Sequence, residues 1–144
     1  MNIQPKESVA VVSGAALASR FRNVRRFSES LAEPLSAEDC GIQSMPDASP
    51  TKWHLGHTTW FFETFLQQQL DTTTPFDERF PKIFNSYYNS LGKQFSRPQR
   101  GVLSRPSLDE VIEYRRHVDR LVIDYLEQQE SVTPSVGNIV EIGL

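Results

Sequence analysis

Apolar residues recur at helical spacing in four separate stretches of the chain. The first stretch runs from about Ala15 to Ala32 and stops at Pro34. The second runs from about Pro50 to Leu70, with Ser49 as the expected N-cap and Pro50 as the first helical residue. This second stretch is apolar nearly all round, which is typical of a central helix. The apolar positions at helical spacing in the first stretch are Leu17, Phe21, Val24 and Phe27.

The third and fourth stretches complete a pattern of four helices. Ser107 and Glu110 form a capping box directly after Pro106, and the apolar stripe that follows predicts roughly 30 Å of helix. A fourth helix begins near Pro134 and reaches Leu144 without a glycine cap or a basic last turn. The pattern predicts an all-α four-helix bundle over residues 15–144 with an incomplete fourth helix. A flexible N-terminus is expected over residues 1–14.

Two connections between the expected helices differ in length and character. Residues 36–50 are rich in small and turn-forming residues, which predicts a loop. Residues 71–106 are far longer than the connections usual in helical bundles. Aromatic side chains can anchor this long connection, so we expect an ordered excursion that shapes a pocket. These aromatic residues are Phe76, Phe80, Phe84, Tyr87, Tyr88 and Phe95.

Composition and charge narrow the class of protein. The chain has 144 residues, of which 38% are hydrophobic and 23% charged, as in a globular domain. Its formal net charge of -3 argues against a general nucleic-acid-binding surface. Apolar runs are too short to span a membrane, and the single cysteine, Cys40, excludes an internal disulfide. We expect a cytoplasmic protein in which Cys40 is inert, because Glu38 and Asp39 raise its pKa.

Two of the three histidines lie three residues apart in the second helix. His54 and His57 therefore share a helix face and could hold a divalent metal, or could instead be satisfied polar or stacking side chains. Near the same face of that helix, Glu63 could join a polar cluster, although we expect it to be solvated or salt-bridged. His117 lies among arginines of the third helix and is expected to be exposed.

The long connection carries a pair of arginines on a proline-containing segment. Arg97 and Arg100 could converge on a carboxylate of a ligand, or could pair with acids of the chain such as Asp77 or Glu78. The sequence does not decide between these alternatives. Nor does it assign a role to the polar run just before them, in which Asn85, Tyr87 and Tyr88 are the main candidates.

Several segments read in order resemble the sulfoxide synthases of ergothioneine biosynthesis. The segments are 49–63 (SPTKWHLGHTTWFFE), 84–90 (FNSYYNS), 97–101 (RPQRG), 103–106 (LSRP) and 114–119 (YRRHVD). In that family the N-terminal part is a DinB-like four-helix bundle, and a C-terminal domain resembling formylglycine-generating enzyme follows it. The resemblance implies that this chain is the N-terminal domain of such an enzyme.

The same resemblance implies a non-haem iron(II) site held by three histidines. One ligand comes from a Trp-x-x-x-His motif of the second helix, and here that position is His57, with His54 the lesser candidate. The other two come from a His-x-x-x-His pair that follows a segment resembling 141–144. The chain is therefore expected to be truncated before its site is complete. It would hold no catalytic residue and no stably bound iron, and would be inactive alone.

For the intact enzyme, the resemblance implies that iron and O₂ join a thiol to hercynine and form a sulfoxide. The thiol would be γ-glutamylcysteine or cysteine, and Arg97 and Arg100 would bind its carboxylates. The sequence does not say which thiol is used, or whether the product is ergothioneine or a related thiohistidine. The alternative is a stand-alone DinB-like bundle that acts as a thiol-dependent transferase or as a binding or interaction module.

Overall fold

The computed structural model describes residues 12–86 and 89–144. Residues 1–11 of the N-terminus that was expected to be flexible, and Tyr87 and Tyr88, lie outside the described residues. Of the remainder of that N-terminus, Val12–Ser13 is a strand and Gly14 begins the first helix. The α-helices are α1 (Gly14–Ala32), α2 (Ala37–Gly41), α3 (Thr51–Phe65), α4 (Phe80–Phe84), α5 (Leu108–Glu127) and α6 (Pro134–Gly143). The strands are β1 (Val12–Ser13) and β2 (Ser131–Val132), and 3-10 helices span Asn89–Leu91 and Arg97–Val102.

Four helices, α1, α3, α5 and α6, form the bundle that the apolar pattern predicts. α1 runs antiparallel to α3, with the Phe21 ring 4.9 Å from the Phe62 ring and Arg25 bonded to Thr59. β1 pairs antiparallel with β2, with Ser13 opposite Ser131, so that α1 and α6 begin side by side. These two helices then run parallel, and α6 is consequently antiparallel to α3. The all-α expectation is confirmed.

The core-facing residues of α1 differ from the simple apolar pattern. Phe27 is 63% exposed, whereas Arg25 is only 4% exposed. Arg25 is stable there because its guanidinium donates to Asp119 at 2.7 Å and to Thr59 at 2.7 Å. Buried polar groups are tolerated when their hydrogen bonds are satisfied. The expected stripe is therefore correct at Leu17 and Phe21 and wrong at Phe27.

A second buried arginine joins three helices. Arg115 of α5 is fully buried and donates to Glu29 of α1, to Thr58 of α3 and to the carbonyl of Arg25. Burial, and secondly the charge of Arg25, lower the pKa of Arg115 to about 10. The guanidinium therefore remains charged at neutral pH and holds the bundle together at this level.

The observed helix ends confirm one of the predicted caps and differ from other predicted caps and bounds. The capping box of Ser107 and Glu110 is present at the start of α5. At α3, however, Ser49 does not cap; the N-cap residue is Pro50, which makes no side-chain cap bond. α3 also ends at Phe65 rather than near Leu70. The expected loop over residues 36–50 contains the short helix α2, which Ser36 caps with a box of its own.

The long connection between α3 and α5 is attached to the bundle by aromatic side chains. Phe80 and Phe84, both on α4, are each 1% exposed and belong to the hydrophobic core. Phe76 is 39% exposed and lies against Tyr114 and His117 of α5. The connection therefore covers one side of α3 as the aromatic content predicts. None of the helices in the described residues is long and apolar enough to cross a membrane.

Replacement of Arg115 by alanine tests how much the hydrogen bonds of this buried arginine contribute to the stability of the bundle. We expect Arg115→Ala to lower the free energy of unfolding by about 3 kcal/mol, because it empties a fully buried position and removes the donor that Thr58 and the Arg25 carbonyl share. Urea denaturation followed by circular dichroism measures this. Arg20→Ala is the control, since the Arg20–Glu141 pair is exposed and such pairs contribute about 0–1 kcal/mol. Equal losses in the two variants would contradict the assignment.

Candidate functional site

His57 is the most constrained histidine of the chain. Its Nδ1 lies 2.8 Å from the carbonyl oxygen of Phe84. Because a carbonyl can only accept, Nδ1 carries the proton and Nε2 keeps a lone pair. The ring stacks between Trp53, at 4.8 Å and 12°, and Trp60, at 5.7 Å and 21°. The imidazole thus has a fixed tautomer and a fixed plane, as a metal ligand requires.

The carbonyl that orients His57 depends on a close approach between α4 and α3. A Cβ atom at Gly56 would lie 2.2 Å from the Phe84 ring, so only glycine allows this packing. One residue earlier, the carbonyl of Ile83 accepts a hydrogen bond of 2.8 Å from the Trp53 indole. Two successive carbonyls of α4 are therefore bonded to side chains of α3, and both bonds need the contact at Gly56.

Arg100 is held at the opposite wall of the same site. It is 4% exposed, and its guanidinium carbon lies 3.4 Å from the centroid of the Trp53 ring. Its two terminal nitrogens donate to Ser49 at 2.8 Å and to Ser86 at 3.3 Å. Stacking and hydrogen bonds fix the guanidinium plane, which lowers the entropic cost of binding an anion.

Gln43 provides a further attachment for the 3-10 helix that carries both arginines. The amide of Gln43 donates to the carbonyl of Arg97 at 2.7 Å and accepts from the backbone N–H of Gly101 at 2.7 Å. A single side chain thus spans both ends of the arginine segment. Asp77, considered from the sequence as a partner for these arginines, instead binds Arg79.

These residues surround one cavity of about 280 Å³. The structure therefore brings together all four residues singled out in the sequence as candidate ligands. Sequence reasoning did not assign Asp47, Ser49 or Ser86 to this cavity, because Asp47 and Ser86 resemble ordinary loop residues and Ser49 has the sequence position of a helix cap. The cavity is lined by Asp47, Ser49, Trp53, His54, His57, Ser86, Arg97 and Arg100.

The electrostatics of this cavity favour an anion. Burial lowers the pKa of His57; the Phe84 hydrogen bond opposes this and the charge of Arg100 adds to it. Burial and then the charges of Arg100 and Arg97 also lower the pKa of His54. Both imidazoles are therefore neutral at pH 7, and the positive charge of the cavity belongs to the arginines. Such a site suits a carboxylate ligand.

A comparison with known protein families identifies the superfamily of this chain. The chain matches the DinB superfamily over residues 20–135, which is most of its length. The chain belongs to the DinB superfamily. No curated protein matches it.

Among the described residues of this DinB-superfamily domain, His57 is the side chain whose geometry suits a metal ligand. Within residues 12–86 and 89–144, no group of three or more His, Cys, Asp or Glu side chains could hold a metal ion. The fixed tautomer of His57 fits a single imidazole ligand with its second-shell carbonyl. The residues that the structure describes do not by themselves form a three-histidine iron site.

Two other candidate residues lie away from the cavity and differ from expectation. Glu63 is neither solvated nor salt-bridged among the described residues: it is 8% exposed and accepts from the Phe76 N–H and the Tyr114 hydroxyl. His117 is half-buried against the Phe76 ring rather than exposed. Cys40 is fully buried, and burial more than Asp39 raises its pKa, so the thiol is inert as expected.

Substitution of Gly56 tests the link between α4 and His57. We expect Gly56→Ala to displace the Phe84 carbonyl and to break the hydrogen bond to Nδ1, because the added methyl overlaps the ring. Imidazole ¹⁵N shifts should then show a mixture of His57 tautomers. Gly41→Ala is the control, since a Cβ there meets nothing within 4 Å. An unchanged tautomer in Gly56→Ala would contradict the mechanism.

The lowered pKa of His57 predicts a pH dependence of stability. Folding favours the neutral imidazole, so between the folded pKa and the ordinary histidine pKa of about 6.5 the unfolded chain binds more protons. Stability should therefore fall as the pH drops from 7.5 towards 5. Urea denaturation across this range measures the slope, which should be shallower in His57→Gln. Identical slopes for the variant and the parent would exclude this contribution.

Proposed function

We propose that this chain is the N-terminal, iron-site domain of a sulfoxide synthase of ergothioneine biosynthesis. The intact enzyme would join γ-glutamylcysteine or cysteine to hercynine with O₂. One observation carries the proposal. In a DinB-superfamily fold, an imidazole with a free Nε2 and two arginines converge on one cavity.

The arginines supply the thiol-binding half of the proposed site. Arg100 is preorganised by Trp53, Ser49 and Ser86, and Arg97 lines the same cavity. A carboxylate entering the cavity would exchange hydroxyl contacts for charge-assisted hydrogen bonds, which are roughly twice as strong as neutral ones. Binding through the carboxylate leaves the thiol end of the substrate directed to the remaining space, next to His57.

The direction of α6 supports the histidine half of the proposal. α6 is antiparallel to α3, and at Gly143 it lies so close that a Cβ would be 2.4 Å from the Phe62 ring. Five residues, or about 7.5 Å of helix, separate Phe62 from His57 along α3. A helix on the α6 axis would reach the level of His57 within about two turns. Two further histidines can therefore come from outside the described residues, and iron(II) held by all three would provide positions for O₂ and the thiolate.

The proposed sulfoxide synthase function also implies the substrates, the second domain and the location of the enzyme. Its substrates would be hercynine and the thiol, and a C-terminal domain resembling formylglycine-generating enzyme would close the cavity. We expect neither nucleic acid nor a membrane to take part, and the enzyme would act in the cytoplasm. Alone, the 144-residue chain would be inactive and would hold no stable iron.

The product of the complete reading frame provides the test. We expect the coding sequence beyond Leu144 to specify His-x-x-x-His within about three helical turns. The purified enzyme with iron(II) should form a sulfoxide from hercynine and a thiol, detected by mass spectrometry. His57→Ala should abolish both iron binding and product, whereas His54→Ala should retain both.

A second pair of variants tests the arginine assignment in the same assay. Arg100→Met should raise the KM for the thiol by about 10-fold or more, because it removes a charge-assisted contact with the carboxylate. Arg120→Met, an exposed arginine of α5, is the matched control. Tight metal binding by the 144-residue chain alone would instead favour the stand-alone DinB-like transferase or binding module.

A further inference from the structure

A second cavity lies further along α3, outside the site described above. It has a volume of about 200 Å³ and lies between the C-terminal half of α3 and the 72–81 segment. Trp60, whose ring stacks on His57, forms part of its wall. The other lining residues are Glu63, Thr64, Gln67, Thr72, Thr74, Pro75, Pro81 and Leu91.

Glu63 gives this cavity a buried negative charge. The residue is 8% exposed, and its two carboxylate oxygens accept from the Phe76 N–H at 2.7 Å and from the Tyr114 hydroxyl at 2.5 Å. Both donors are neutral, since burial and then the neighbouring carboxylate raise the pKa of Tyr114. None of the ion pairs between described residues includes Glu63, and no cationic side chain lines the cavity.

The position of Glu63 on its helix adds to this imbalance. The residue lies in the last turn of α3, which ends at Phe65. The carbonyl end of a helix carries a partial negative charge, and acidic side chains are disfavoured there. Among the residues that the structure describes, this buried carboxylate lacks the counter-charge that such groups usually have. A cation in the cavity would supply it.

The remaining walls indicate which kind of cation fits. Trp60, Pro75, Pro81 and Leu91 present carbon surface, and an indole ring attracts cations over its face. The hydroxyl oxygen of Thr72 is buried without a hydrogen-bond partner in the described part of the chain. A divalent metal would need several oxygen ligands, whereas this cavity offers a single carboxylate.

We propose that this cavity binds the ammonium group of a small organic cation. The carboxylate of Glu63 provides the charge, the Trp60 ring and the prolines cover the carbon chain, and a slight shift of Thr72 lets its hydroxyl accept an N–H. The site involves neither His57 nor the arginines, so it stands or fails independently of the proposed enzymatic function.

Titration of the ¹⁵N-labelled chain with ethylammonium chloride at constant ionic strength tests this site. We expect saturable shifts of the Thr72 amide and Trp60 indole resonances below about 50 mM, a range suited to millimolar Kd values. Nuclear Overhauser contacts should join the ethyl protons to the Trp60 ring. Ethanol, a neutral analogue of similar size, should give no saturable shifts.

Two variants and one control complete the experiment. Glu63→Gln keeps the side-chain shape and should weaken binding by about 10-fold or more. Thr72→Val should weaken it less. Glu113→Gln, which removes an exposed carboxylate of α5, should leave it unchanged. Circular dichroism melts check that each variant is folded.

Several outcomes would overturn the proposal. These are the absence of saturable shifts, equal binding by Glu63→Gln, or equal binding of ethanol. Complete displacement of ethylammonium by equimolar potassium would identify an inorganic cation site instead. If Glu63→Gln does not fold, two other results test the proposal. The ethyl protons must show Overhauser contacts to the Trp60 ring, and Thr72→Val must bind ethylammonium more weakly than the parent chain.

Discussion

The rest of the structure depends on one constraint, which is that α3 must bury almost its whole circumference. α1 packs against the side of α3 on which Phe62 and Thr59 lie, and α6 contacts this side and the neighbouring Phe61. The opposite side carries Trp53, His57 and Trp60, and a short inter-helical turn would leave it exposed to water. The long connection between α3 and α5 covers that side through α4 and the arginine segment. The cavity is the space between this cover and the helix.

The contact of Gly56 with Phe84 links this constraint to chemistry. Without a Cβ at Gly56, α4 approaches until its carbonyls reach the Trp53 indole and the His57 imidazole. The same packing that removes an aromatic ring from water therefore selects the tautomer of His57. Structural and chemical roles cannot be separated here, because one backbone segment provides both the hydrophobic cover and the hydrogen-bond acceptor.

The sequence predicted those features that depend on local chemistry. Helical spacing located the four main helices, and the box of Ser107 and Glu110 located the start of α5 within a residue. The sequence-based predictions were wrong at positions where the side chain binds a residue far away along the chain. Ser49 has the composition of a cap but bonds Arg100, 51 residues away. Arg25 replaces Phe27 in the core because Asp119, 94 residues away, accepts its hydrogen bond. Spacing along one helix contains no information about such partners.

In the candidate site, too, some features could be predicted from the sequence and others could not. The resemblance and the helix face together put His54 and His57 at one site, and the structure places Arg97 and Arg100 at that site as well. The Phe84 carbonyl was invisible in the sequence, since every residue has one. Gly56 was the available signal, because a glycine inside a strong helical pattern has a cost that close packing explains.

The charge distribution along α3 ties the two cavities to the polarity of the helix. The arginine cavity lies by the first turns of α3, where the partial positive charge of the N–H groups adds to the attraction for an anion. Glu63 lies in the last turn, where the carbonyl groups disfavour a carboxylate. The side chains give the two cavities opposite signs, and the partial charges at the two ends of α3 add to the difference. Trp60 contacts both the His57 ring and the Glu63 cavity, so one indole forms a wall common to the two sites.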